Sequence, residues 1–355
     1  MESGRLKVSH SVLVSNNCVY LSDMRVAVVI LNWNTKSYLK SFVPGILASL
    51  GSEDALYVAD SGSTDGSLEL LEREFPEVKR LPLGENLGFT GGYNKALSQI
   101  DAKYFLLLNS DIEVEQDWLE PLVEMMEEKQ ECGICAPKLL ALEAGEGGDW
   151  HKTKRFEYAG AAGGLLDFFG YPYCRGRVLS KVEQDLGQFD TPSQVFWASG
   201  AAMLIRSELW RTLGGFDSRF FAHMEEIDLC WRAQSQGYQV WVQPQSVVYH
   251  IGGGTLPSTS PMKLRLNYRN SLWMLKKNLP AAIGPFRASC RIGFRYVLDW
   301  ACALLYLLSG KKDYAKAVFQ AHKEYKSVKI KPLVASVKVK PSSGLILFVR
   351  LFGKR

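Results

Sequence analysis

Several groups able to do chemistry stand at the ends of apolar runs. Asp60 follows Ala55-Leu-Tyr-Val-Ala59, Asp111 follows Tyr104-Phe-Leu-Leu-Leu108-Asn-Ser110, and His250 closes Ser246-Val-Val-Tyr. Three acids, Glu225, Glu226 and Asp228, crowd into one short stretch. Oxygen and imidazole donors can hold Mg²⁺ or Mn²⁺, which keep part of their shell as water or substrate phosphate. A carboxylate beside a hydroxyl can take its proton as a general base. Each group also has a plainer use. Asp111 can cap a turn, a lone histidine after an apolar strand is commonly structural, and a helix dipole favours acids in its first turn.

The elements needed to position these groups can be read from the same runs. Tyr104–Leu108 is apolar without alternation, as a strand buried on both faces of a parallel sheet should be. Residues 24–34 predict a first strand ending at Asn32 and Asn34, followed by a helix over 38–50. The strand 55–59 runs into Asp60-Ser-Gly-Ser-Thr-Asp65-Gly66, a series of turn and cap formers. A helix over 68–75, a short strand at 78–83 and the stretch Asn86-Leu-Gly88-Phe-Thr-Gly91-Gly92-Tyr-Asn94 come next. Strands alternating with helices predict an α/β fold with a mostly parallel sheet. Ligands bind at the carboxyl edge of such sheets. Asn32, Asn34, Asp60 and Asp111 would share that edge and suit a nucleobase, ribose hydroxyls and a metal-bound diphosphate. Gly88-Phe-Thr-Gly91-Gly92 is not a dinucleotide fingerprint, and no Walker sequence is present. Those glycines can simply let a helix pack close to the sheet.

Taken together, Val28-Val-Ile-Leu-Asn-Trp-Asn34, Asp60 to Gly66, Asn86 to Asn94 and Leu108-Asn-Ser-Asp111 resemble, in order and spacing, the nucleotide-sugar half of the inverting family-2 glycosyltransferases of GT-A fold. The resemblance covers about residues 25–275. It implies a Rossmann-like sheet flanked by helices and a single displacement from a nucleotide-diphospho-sugar to a hydroxyl of a glycan acceptor. Asp111 and His250 would hold Mn²⁺ or Mg²⁺, and Asp60 would read the nucleobase. Asn32, Asn34, Asp65, Asn86, Gly88, Asn94 and Ser110 would support nucleotide placement. Phe221-Ala-His-Met-Glu225-Glu226-Ile-Asp228-Leu-Cys-Trp-Arg232 resembles the family's catalytic element, in which the second acid is the base. That position is Glu226, where aspartate is usual. Glu225 and Asp228 are its companions, with Asp228 assigned to helix-end or loop hydrogen bonding. Tyr268-Arg269-Asn270 resembles an element of rhamnosyltransferase-like members and makes dTDP-rhamnose the first candidate donor. Two other classes compete. A sugar-1-phosphate nucleotidyltransferase would want a glycine-rich basic loop after the first strand, which Asn32-Trp-Asn-Thr-Lys-Ser37 lacks. A non-catalytic nucleotide-sugar-binding protein would not need the acids and the histidine.

The chain has 355 residues, 47% hydrophobic, enough for a sizeable folded core. Residues 1–23 lack an apolar core and read as an N-terminal extension without a signal peptide. The catalytic domain is expected over 24–261, with a helical C-terminal region over 262–355. Residues 141–195, rich in glycine and aromatics, read as excursions or a lid. Seven cysteines with a single CxxC, Cys132 to Cys135, fit reduced thiols in a cytosolic compartment. From 262 onward there are 20 Lys and Arg against 3 Asp and Glu, or +17, while the remainder, 22 against 34, is −12. The basic tail predicts an anionic partner. Residues 296–309 are apolar but shorter than the roughly 20 residues of a spanning helix. They fit a helix on an anionic bilayer face or one in a helical bundle. The combined expectation is an enzyme at the inner face of the cytoplasmic membrane. Its partners would be a nucleotide-sugar, a lipid-linked glycan and the membrane surface, with no nucleic acid.

Overall fold

The computed structural model describes residues 24–145, 149–178, 181–252 and 260–342; the expected extension over 1–23 lies outside them. In chain order the first elements are β1 (Val26–Asn32), α1 (Lys36–Ala48), β2 (Asp54–Asp60), α2 (Ser67–Glu74), β3 (Lys79–Pro82), α3 (Gly88–Leu97), β4 (Tyr104–Leu108) and β5 (Ile112–Val114). After α4 (Glu120–Glu128) come β6 (Cys132–Ala144) and β7 (Trp150–Phe156), then the short β8 (Gly164–Leu166), β9 (Pro172–Cys174), β10 (Arg177–Val178), β11 (Lys181–Val182) and β12 (Ser193–Gln194). The chain continues through β13 (Ala202–Arg206), α5 (Ser207–Leu213), α6 (Glu225–Ser235) and β14 (Gln239–His250), and then α7 (Pro261–Ile283), α8 (Pro285–Leu308) and α9 (Lys312–Ser327).

The main sheet has the order β12-β14-β6-β13-β4-β1-β2-β3, with β5 added to β14 and β7 to β6. Strands β4, β1, β2 and β3 are parallel, as are β14 and β6; β13 runs antiparallel between β4 and β6. The unalternated apolar runs follow from burial on both faces. Val26, Val28 and Ile30 of β1 pack into one core with Leu39 and Val43 of α1, while Ala27 and Val29 pack into the other with Tyr93 and Ala96 of α3. The glycines of α3 serve close packing, since a Cβ on Gly92 would lie 2.6 Å from Leu31 Cδ1. Residues 141–195 are more regular than excursions. β6 runs on to Ala144 to pair with β7, and β8 to β11 form a second, antiparallel sheet.

The register places the polar strand ends together. Asn32 lies opposite Asp60, and Ala202 at the start of β13 lies opposite Leu108 at the end of β4. β14 pairs with β6 as far as His250 and also pairs that residue with Ile112 beside Asp111.

Helices α7, α8 and α9 pack on one another, and α7 also packs on α6. α8 has an inverted polarity. Arg295 and Asp299 are buried, while Phe294, Val297, Trp300, Leu304 and Leu308 are exposed. Asp299 accepts from Arg295 Nε (2.9 Å), Tyr171 Oη (3.2 Å) and His322 Nε2 (3.1 Å), so an ionic cluster lies on the inner face between the buried Ile292 and Ala303. Among the described residues no helix is long and apolar enough to cross a membrane.

Candidate active site

At the carboxyl ends of β1 and β2, two loops are tied into one polar unit. Asp60 accepts from Asn32 Nδ2 (2.6 Å) and from the amides of Gly62 (3.1 Å) and Ser63 (2.9 Å). Asn34, at φ 55°, accepts from the Thr64 amide (2.8 Å), and its own amide donates to Ser63 Oγ (2.9 Å). Asp65 accepts from the Lys36 amide (2.9 Å) and from the amide and hydroxyl of Ser67 (3.0 and 2.5 Å). Burial opposes ionisation of Asp65, but these donors outweigh it and hold its carboxyl below the usual range. Asn86 accepts from the Gly88 amide (2.9 Å). Asn94 is engaged elsewhere, since it exchanges two hydrogen bonds (2.8 and 2.9 Å) with the backbone of Phe216 and ties α3 to the approach to α6.

Beyond β4, Asp111 and His250 meet. His250 Nε2 lies 3.1 Å from Asp111 Oδ1 and 3.3 Å from Asn109 Nδ2. On the other side of the ring, Nδ1 is 3.5 Å from Glu157 Oε1. Burial would lower the imidazole pKa, but Asp111 and Glu157 raise it to about 10. Asp111 in turn is held below the ordinary carboxylate range, the His250 charge overcoming burial. Two buried donors of the kind divalent ions use are thus in contact. No group of three His, Cys, Asp or Glu residues arranged for a metal occurs among the described residues. A metal here would take two protein donors and complete its shell from diphosphate and water, which suits Mg²⁺ and Mn²⁺. Ser110 lies in the same turn, partly exposed.

The three acids of α6 have different surroundings. Asp228 is fully buried and held by Arg232 Nε (2.7 Å), Lys277 Nζ (2.9 Å) and Asn278 Nδ2 (2.8 Å), which keep its carboxyl below the usual range despite burial. Glu225 and Glu226 each enclose an Oε2 with no hydrogen-bond partner among the described residues. Burial raises Glu226 to about 7 against the amides at the helix start, and burial with the neighbouring charge raises Glu225 well above the ordinary value. Glu226 stands beside the strand ends. Its Cβ is 3.7 Å from where a Cβ of Gly200 would sit, and Ala201 O accepts from the Asn109 amide (2.8 Å). The segment Gly200–Ala201 therefore links Glu226 to the turn that carries Asp111.

Asn109, Glu157, Asn270 and Lys277 complete these surroundings and were not singled out as site residues from sequence. Asn109 had a signal, its place in the Asn-Ser-Asp turn. Asn270 had one in the Tyr-Arg-Asn element. Glu157 and Lys277 had none, because only the tertiary fold brings them to His250 and Asp228.

The model of glycosyl transferase family 2 matches residues 27–213, more than half of the chain. The chain belongs to this family; it is a glycosyltransferase with the GT-A fold. It is 25% identical over 241 residues to the N-acetylglucosaminyl-diphospho-decaprenol L-rhamnosyltransferase of Mycobacterium tuberculosis, covering 64% of this chain and 76% of the relative. It is 26% identical to the rhamnosyltransferase WbbL of Escherichia coli K12, covering 63% of this chain and 83% of the relative. Among solved structures, GalNAc-T7 with UDP, GalNAc and Mn²⁺ superposes with a TM-score of 0.53 at 16% identity, covering 71% of this chain and 48% of that one. The chain thus spans about half of that solved protein.

Proposed function

We propose that this glycosyltransferase moves a sugar, with rhamnose from dTDP-rhamnose as first candidate, onto a hydroxyl of a lipid-linked glycan in cell-surface polysaccharide synthesis, with inversion. The observation that supports the reading is that the Asp111–His250 pair follows the end of β4, while Glu226, with an enclosed and unpartnered carboxyl oxygen, stands against Gly200 just before the end of β13 that pairs with β4. The rhamnosyltransferase relatives, one of them named for a decaprenol-linked substrate, support the donor and acceptor classes. The unit formed by Asn32, Asn34, Asp60 and Asp65 holds the nucleotide, with the Asn86–Gly88 turn beside it. Glu226 takes the acceptor proton as the hydroxyl attacks, and its pKa near 7 matches a base working at neutral pH. Asp111 and His250 would hold Mn²⁺ or Mg²⁺, which would supply charge neutralisation on the diphosphate. The exposed apolar ridge of α8 and the basic C-terminal region attach the protein to an anionic membrane face, where such an acceptor resides.

A panel of dTDP-, UDP- and GDP-sugars, offered with polyprenyl-diphospho-N-acetylglucosamine and Mn²⁺, tests this. Transfer from dTDP-rhamnose giving the inverted anomer is the expected result. Transfer from another donor alone would replace the sugar assignment. Pyrophosphate exchange without transfer would overturn the reaction class.

A further inference from the structure

The residues leading into α6 hold an unusual backbone. Phe221, His223 and Met224 have φ of 65°, 70° and 72°, a region that side-chain-bearing residues seldom occupy. Phe221, with ψ −59°, centres a γ-turn closed by the Ala222 amide donating to Phe220 O at 2.8 Å. A γ-turn of this hand is rare and strained. Such strain persists only where the surroundings over-determine it, and it collects at functional sites. Met224 gives α6 no side-chain cap, so the helix itself does not fix where it begins.

What fixes it is the Tyr-Arg-Asn element of α7. Asn270 is fully buried, and its Nδ2 lies 3.0, 2.8 and 2.8 Å from the carbonyl oxygens of Phe220, Ala222 and His223. Arg269 Nη2 adds a bond to Phe220 O (3.2 Å), and its Nη1 is anchored on Glu324 of α9 (3.0 Å). From the other side, the Thr90 amide donates to Phe221 O (3.2 Å). The Phe221 ring lies over Gly88, where an added Cβ would come within 2.4 Å of it. The turn therefore joins the nucleotide-side loop, α7 and the first acids of α6.

We infer that Asn270 is a positioning residue for catalysis: it holds Phe220–Met224 in the left-handed turn and so sets the direction in which Glu225 and Glu226 leave the start of α6. Successive residues on a helix diverge by about 100°, so a shift of one residue in the helix start would turn a different acid towards Gly200. This inference rests on Glu226 being the base.

The test compares wild type, Asn270→Ala, Asn270→Ala with Met224→Gly, and Glu226→Gln. Turnover is measured with dTDP-rhamnose and the polyprenyl acceptor, dTDP affinity by calorimetry, and amide exchange over residues 220–226. Asn270→Ala should lower kcat at least tenfold, leave dTDP affinity within twofold and speed exchange in the turn. Met224→Gly should restore part of kcat in that background, because glycine enters the left-handed region without the clamp. Wild-type kcat and exchange in Asn270→Ala would overturn the inference, as would parallel loss of kcat and dTDP affinity. If the alanine variant does not fold, Asn270→Asp keeps the shape, removes the donor and is judged by the same criteria. An inactive wild type or a fully active Glu226→Gln would count against the transferase or base reading, while unchanged exchange in the turn would separately overturn the clamp.

Discussion

Glu226 and Asp228 stand two positions apart on α6 and meet opposite environments, so their replacement should have opposite signatures. Asp228 is charged and surrounded by Arg232, Lys277 and Asn278. Asp228→Ala leaves a buried cation without its partner and should destabilise the fold by about 3–5 kcal/mol, read from urea melts. Glu226 carries a strained ionisation. A carboxyl whose folded pKa lies near 7 and unfolded value near 4.5 loses stability as pH rises between them, because the unfolded chain ionises first. Glu226→Gln should therefore melt higher than wild type at pH 8 and match it at pH 4. The same change should cost about 10²–10⁴-fold in kcat with donor KM nearly unchanged, and Glu225→Gln should cost less. In wild type the acidic limb of kcat/KM should fall near pH 7. At the Asp111–His250 pair, proposed above to hold the metal, Asp111→Asn should abolish transfer with the fold intact, and excess chelator should silence the wild type. His250→Ala should weaken the response to added Mn²⁺ while dTDP still binds.

At the scale of elements, α7 and α8 use their faces differently. α7 gives Asn270, Lys277 and Asn278 to the start of α6, so the region beyond residue 262, set apart in sequence by its charge, is in contact with the helix that carries Glu226. α8 turns its ionic residues inward and its apolar ridge outward. Arg287 near one end of the ridge and Lys311 and Lys312 after the other are exposed. An isologous contact through the ridge would bring these cations against one another, whereas an anionic lipid face would complement them. Replacing Leu304 and Leu308 with glutamate should change stability little, since both are exposed, yet abolish flotation with phosphatidylglycerol vesicles.

For the whole molecule, the charge is divided between a body of −12 and a C-terminal region of +17. Each basic residue near an anionic surface contributes about 1 kcal/mol, and salt screens that attraction. Wild-type protein should float with anionic vesicles at low salt, less so at 0.5 M salt, and hardly at all with neutral ones. Equal failure on both vesicle types would leave the ridge as a protein contact, visible as a dimer in sedimentation.

The sequence alone determined the strands buried on both faces, β1, β2 and β4, because such runs cannot hide their lack of alternation, and polar residues at their ends had to share one edge; it did not determine β7 to β11, in the stretch read as excursions or a lid. It also carried the family, through the order of four motifs. Which acid of α6 is paired and which is bare was decided only by folding, since Lys277 and Asn278 lie some fifty residues from Asp228. The meeting of Asp111 and His250 spans 139 positions and depends on the end of β14 pairing with β5. Residues 296–309 suited a bundle or a bilayer equally in sequence. An apolar run shows that a helix has an apolar face, but only its neighbours settle which face is covered, and here they cover the one that carries Arg295 and Asp299.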